Sequence, residues 1–196
     1  MTETKDRKLC FIDVETTGTN PYKCSITQVA AVIDINGTVE DELNLLIQPF
    51  KDSLIEPGAL QVTGLTRDDL FDSKRMFPVE AMKFICEFAS LFIDKYNKLD
   101  KLWFVGYNCK FDWDFMQQFW KRCGDNYFGS WFCFPPIDVA QLAALMLIDT
   151  RMSMPDFKLK TVAEHLKVGQ QSDVHNALAD VKLTRDLYYA TTRDRR

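Results

Sequence analysis

Two acidic residues, two positions apart, close a short apolar run: Lys8-Leu9-Cys10-Phe11-Ile12-Asp13-Val14-Glu15. The run reads as a strand, in which successive side chains point to opposite faces. Leu9, Phe11, Asp13 and Glu15 then share one face, and Cys10, Ile12 and Val14 share the other. Apolar residues on both faces put this strand inside a sheet that is covered on both sides. Two carboxylates at the end of such a strand repel each other and need a compensating positive charge. A divalent cation is the usual one.

Two further clusters belong with the first. Asn108, Phe111, Asp112 and Phe115 open an amphipathic helix, and His175, Ala177 and Asp180 open another near the C-terminus. In the first of these helices, residues three and four apart share a face. Asp112 lies with Phe115, Met116, Phe119 and Trp120, so it points inward. Asp114 lies with Lys110, Gln117, Gln118 and Lys121, on a solvated face where it pairs with lysine. An inward carboxylate at a helix start needs a partner, which a metal site supplies. Asn108 suits the N-cap of that helix.

In their order and spacing the three segments resemble the three motifs of the DEDDh 3′-to-5′ exonucleases, the group that contains polymerase proofreading subunits, RNase T and oligoribonuclease. The matching residues are Phe11-Ile12-Asp13-Val14-Glu15-Thr16-Thr17-Gly18, then Asn108, Phe111, Asp112 and Phe115, then His175, Ala177 and Asp180. The resemblance implies a ribonuclease H-like α/β fold, in which a five-stranded mixed sheet with its first strand central lies between helices in three α/β/α layers. It implies one exonuclease domain over residues 1–196, with its core at about 8–190. It also implies two-metal-ion hydrolysis, with Asp13 bridging two Mg²⁺ ions (Mn²⁺ a plausible substitute), Glu15 and Asp180 completing the first and Asp112 supporting the second. All-oxygen ligands suit these hard cations rather than zinc.

His175 precedes Asp180 by five residues, a step of about 140° around a continuous helix. The spacing therefore suits a helix capped by Asn176, with His175 in the loop before it. A loop histidine can swing onto the substrate, and its ordinary pKa suits a general base near neutral pH. His165, in a helical stretch, reads as an ordinary surface or core residue. By the same resemblance Thr16, Thr17 and Gly18 touch the terminal nucleotide through their backbone, and Leu65 of Gly64-Leu65-Thr66 wedges against its base. Phe111 either stacks on a base or packs beside Asp112.

The rest of the chain fits one layered domain of 196 residues. Ser25–Asp34 and Thr38–Gln48 read as strands about the turn Asn36-Gly37, which makes the first three strands an antiparallel meander. Pro49–Asp72 reads as loop with short helical turns. A helix is expected from Pro78 to Tyr96, with Ala81, Phe84, Ile85, Phe88, Leu91 and Phe92 facing the core. Leu102–Gly106 is a buried strand, and the second-motif helix ends near Arg122 before Gly124. Trp131–Phe134 is an edge strand beside Pro135-Pro136. Three helices follow, at Asp138–Ile148, Lys158–Leu166 and Asn176–Ala190, with Asp138 a plain N-cap.

A net charge of −4 argues against a basic coat protein but not against a nuclease, since Asp13, Glu15, Asp112 and Asp180 carry four of the negative charges. It suggests an enzyme holding one chain end through few phosphate contacts. Neither a membrane span nor a secretory signal is visible, and the six unevenly spaced cysteines read as reduced thiols of a cytoplasmic protein. The basic segments at Lys5–Lys8 and Arg193–Arg196 read as solvated termini.

The expected partners are 3′ ends of single-stranded DNA or RNA; homodimerisation and a polymerase partner both stay open. A proofreading subunit ranks lower, because little chain beyond Thr191 is left for a polymerase-binding tail. A catalytically silent nucleic-acid-binding module would have lost an acidic position, and none is lost.

Overall fold

A computed structural model describes residues 6–169 and 176–192. His175 and the basic tail 193–196 lie outside the described residues, as does Lys5. The sheet has the order β3-β2-β1-β4-β5, with β1 spanning Lys8–Thr16, β2 Ile26–Ile35, β3 Thr38–Leu46, β4 Leu102–Gly106 and β5 Phe132–Asp138. β1 is central, as the two apolar faces require. It pairs antiparallel with β2, β2 pairs antiparallel with β3, and β4 and β5 run parallel to β1. The hairpin forms where Asn36-Gly37 predicts it. Both residues have positive φ, 56° and 99°, which a tight two-residue turn between twisted strands demands.

Each face of β1 enters its own core. Cys10, Ile12 and Val14 pack under α3 (Pro78–Ser90) and α4 (Lys110–Arg122), against Ile85, Phe115, Phe119 and Trp120. Leu9 and Phe11 pack under α5 (Val139–Met146), α6 (Leu159–Leu166) and α7 (Ala177–Thr192), against Val139, Val162, Val181 and Tyr188. These are the three α/β/α layers of a ribonuclease H-like fold. Two short helices, α1 (Pro57–Thr63) and α2 (Arg67–Leu70), occupy the segment read as loop with helical turns.

The hairpin also anchors α7. Asp34 on β2 is wholly buried and accepts hydrogen bonds from Arg185 Nε, Tyr189 Oη and Gly37 N, each at 2.8 Å. A buried carboxylate is tolerable only when paired and hydrogen-bonded in this way, and the pairing fixes the helix that carries Asp180.

Two expectations need correction. α3 ends at Ser90 rather than Tyr96, and Phe84 and Leu91 are 44% and 72% exposed. The inward stripe is Ala81, Met82, Ile85 and Ala89. Beyond Ser90 the chain is held by other groups: Lys8 Nζ donates to Phe92 O at 2.8 Å and bridges to Asp100, whose second oxygen accepts from Asp94 N. Asn108, expected at the N-cap of α4, instead has a left-handed φ of 56°, and Cys109 occupies the cap position. Asparagine serves both a cap and a left-handed turn, so the residue type alone did not separate them. The Asp138 cap holds, with Oδ1 accepting from Ala140 N at 2.9 Å.

Candidate active site

The parallel strands β1, β4 and β5 deliver their C-terminal ends to one edge, where open α/β sheets bind ligands. Asp13 and Glu15 lie at the end of β1. β4 pairs with β1 only from Leu9 to Phe11, so the Val14 amide beyond it is free to meet a side chain. Asp112 fills that place, its Oδ1 accepting from Val14 N at 3.0 Å. The approach depends on a tight exit from β4. A Cβ on Gly106 would stand 2.9 Å from the Cys109 Cβ and 3.2 Å from the Ile12 carbonyl oxygen. Asp112 is 4% exposed, whereas Asp114 faces solvent and pairs with Lys110 at 2.6 Å, the division that helix geometry predicts. Asp180 enters from the first turn of α7, and Asn176 Oδ1 caps that helix at Leu178 N, 3.1 Å away.

The carboxylates feel one another. Burial is the largest influence raising the Asp13 carboxyl well above the usual range, and the charges of Asp112, Glu15 and Asp180 add to it. Burial pushes Asp112 up to about 8; the Val14 amide partly opposes this, and Asp138 and Glu15 reinforce it. As placed, no three His, Cys, Asp or Glu side chains among the described residues are gathered tightly enough to cage an ion. The donor set, all oxygen and bearing one buried carboxylate amid three others, fits a hard divalent cation.

The loop after β1 is pinned from several sides. Thr17 is buried and joined to Ser25 in both directions, and its hydroxyl donates to Leu54 O at 2.6 Å. Thr16 Oγ1 donates to Gly18 O at 2.7 Å. Glu56 donates its amide to Thr17 O at 2.7 Å and accepts from Thr19 N at 3.2 Å. Gly18 is the residue that lets Glu56 and Cys24 close in, since a Cβ there would meet both within 2.7 Å. Leu65 is half-buried and shares a cavity of about 200 Å³ with Glu15. Phe111 packs on Phe115, ring centroids 4.7 Å apart, and stays half-exposed. Sequence reasoning missed Glu56 and the charge that Asp138 brings. The position of Asp138 at the end of a third parallel strand was the available signal.

The family model described as exonuclease, RNase T, matches residues 10–188. The chain therefore belongs to the RNase T-type exonuclease family, within the DnaQ-like 3′-to-5′ exonucleases, a class of phosphodiester-hydrolysing enzymes. Among individual proteins it is similar to the 3′-5′ DNA exonuclease Cap18 of Escherichia coli, with 26% identity over 90% of this chain and 87% of Cap18. It is also similar to the PolC-type DNA polymerase III of Thermotoga petrophila, with 27% identity over 90% of this chain but only 11% of PolC. Its fold matches that of E. coli exonuclease I crystallised with a dT13 oligonucleotide, with a TM-score of 0.73 and 22% identity over 95% of this chain and 42% of the other.

Proposed function

We propose that this chain is a metal-dependent 3′-to-5′ exonuclease, acting as a single domain in the cytoplasm, that removes nucleoside 5′-monophosphates from single-stranded 3′ ends. The observation that carries the reading is the convergence of Asp13, Glu15, Asp112 and Asp180 from β1, α4 and α7 on one sheet edge. These residues would hold two Mg²⁺ ions, or Mn²⁺ in their place, which when bound supply Lewis acidity and a clamp on the attacking and departing oxygens. Asp112, fastened to the Val14 amide, keeps its carboxylate oriented before substrate arrives. The pinned turn through Thr16, Thr17 and Gly18 offers a rigid backbone to the terminal nucleotide, with Leu65 against its base and Phe111 within reach of a neighbouring one. His175 takes a proton from the attacking water as the new P–O bond forms. The bond to the 3′ oxygen breaks, and that oxygen leaves with a proton as the new 3′-hydroxyl.

DNA is the substrate proposed first, on the strength of the DNA named for Cap18, PolC and the exonuclease I complex. Oligomers of DNA and RNA labelled at the 5′ end test the reading. A descending ladder that needs divalent metal and stalls at a 3′-phosphate is expected; cutting of a circular substrate overturns it. The similarity to one segment of PolC favours a second reading, a proofreading exonuclease beside a polymerase. It predicts that added polymerase raises the rate on mismatched primer ends.

A further inference from the structure

Beside the carboxylates lies a cavity of about 200 Å³, walled by Glu15, Gln28, Leu46, Thr63, Leu65 and Arg75. Arg75 is the unusual member, a cation only 7% exposed. Its Nε donates to Asp69 O at 2.7 Å and its Nη1 to Thr27 O at 2.8 Å, with a longer contact from Nη1 to Ile47 O at 3.4 Å. These bonds tie the segment after Leu65 to the sheet and lock the plane of the guanidinium. Nη2 makes no hydrogen bond among the described residues, and it is not sealed inside the protein. Arg75 lines the cavity, and a guanidinium can only donate, so the unbonded Nη2 is the donor this residue has left to offer there.

Three constraints limit what the cavity accepts. It is smaller than the 300–1,000 Å³ usual for whole-ligand pockets, so it suits one fragment of a ligand. Glu15 shares the wall with the Arg75 guanidinium, so the lining carries both signs of charge and offers a phosphate no net attraction. Leu46 and Leu65 suit a flat apolar face, and Nη2 requires an acceptor at that fragment's edge. A nucleobase meets all three conditions. Guanine, cytosine, thymine and uracil each present a keto oxygen with two lone pairs, whereas adenine presents only ring nitrogens, each with one lone pair in the ring plane.

We propose that Arg75 reads the terminal nucleotide, its Nη2 donating to a keto oxygen of the base seated against Leu65, so that the enzyme discriminates against adenine ends. The proposal rests on the exonuclease reading and adds a specificity-determining residue to it. The test compares kcat/KM on four single-stranded DNA oligomers that differ only in the 3′-terminal base. The wild type is expected to favour guanine, cytosine and thymine ends over adenine about tenfold, the usual scale of one charge-assisted hydrogen bond. Arg75→Lys can still reach the backbone carbonyls but has no second nitrogen for the cavity, so it keeps the fold and narrows the preference to about twofold. Arg75→Met narrows it as well.

The preference is a ratio and does not depend on how much enzyme is folded. Equal losses on all four ends in either variant would mean that Arg75 only clamps the loop, and would overturn the proposal, as would a wild type with no preference. Titration of dGMP and dAMP in Mg²⁺ separates this proposal from the reading beneath it. Tighter dGMP binding that is lost in Arg75→Lys supports the base contact even if no oligomer is cut, whereas equal binding of the two nucleotides counts against it.

Discussion

Replacing Asp112 by asparagine removes the ionisable group from the most confined carboxyl of the site and keeps an oxygen to accept from Val14 N. In the folded protein this carboxyl titrates at about 8 rather than the ordinary 3.8. Between those values the folded state holds a proton that the unfolded chain has released. The metal-free wild type therefore loses stability as pH rises through that window and gains it as pH falls. A shift of about four units, at 1.36 kcal/mol each, corresponds to about 5 kcal/mol at most by pH 8. Asp112→Asn does not titrate, so it escapes this loss. Allowing for an amide that fits less well than a carboxyl, a net gain of about 2 kcal/mol or more is expected at pH 8. For a chain of this size that is about 5 °C in Tm. At pH 4 the wild-type carboxyl is largely protonated in the folded state, the pH-linked gain is gone and only the poorer fit of the amide remains, so the variant should melt below the wild type. Thermal unfolding in a chelator at both pH values measures this. A variant no more stable than wild type at pH 8, or equally stabilised at both pH values, refutes the argument. Added Mg²⁺ should raise the wild-type Tm more than that of the variant, because cation binding is what offsets the repulsion.

Three other substitutions probe separate parts of the design. Asp13→Ala should abolish hydrolysis without lowering the metal-free Tm, since it removes a carboxylate crowded by three others; a rate above a few percent of wild type would disprove its role as bridging ligand. His175→Ala should lower kcat by about 10²-fold or more with metal affinity unchanged, and should erase the rising limb of the pH–rate profile; a near-normal rate removes it as the base. Asp34→Ala strands Arg185 and Tyr189 in the C-terminal half of α7 and should cost about 3–5 kcal/mol; a loss below about 1 kcal/mol in denaturant unfolding would show that the clamp is incidental.

The parts legible in the sequence share one property: each is enforced within a few residues. The central position of β1 followed from apolar side chains on both its faces, the hairpin from Asn36-Gly37, and the separation of Asp112 from Asp114 from helix periodicity. What was not legible depends on residues far apart. The end of α3 is set by Lys8, 84 positions away in the chain from the carbonyl it captures. The role of Asn108 is set by the squeeze between Gly106 and Cys109, and that of Arg75 by the carbonyls of Thr27 on β2, Ile47 just past β3 and Asp69 on α2.

The same contrast orders the site itself. The carboxylates sit on regular elements, where the pleat of β1 and the turns of α4 and α7 aim them, and a short motif suffices to mark each one. The side proposed to meet the substrate is built from loop backbone held by Glu56, Thr17 and Arg75, none of which belongs to a periodic pattern. A family that keeps its strand and helix carboxylates can therefore retain phosphodiester chemistry while loop residues decide which end is accepted. In this chain the loop holds a buried arginine beside Glu15, so selectivity should respond to changes at Arg75 that leave the carboxylate cluster untouched. Rate should respond to changes at Asp13 or Asp112 that leave base preference untouched, provided residual activity can be measured. Variants at Arg75 and Asp112 combined should then show additive effects on log kcat/KM. Strong coupling between them would mean that the cavity and the carboxylate cluster are one unit, and would refute this division of labour.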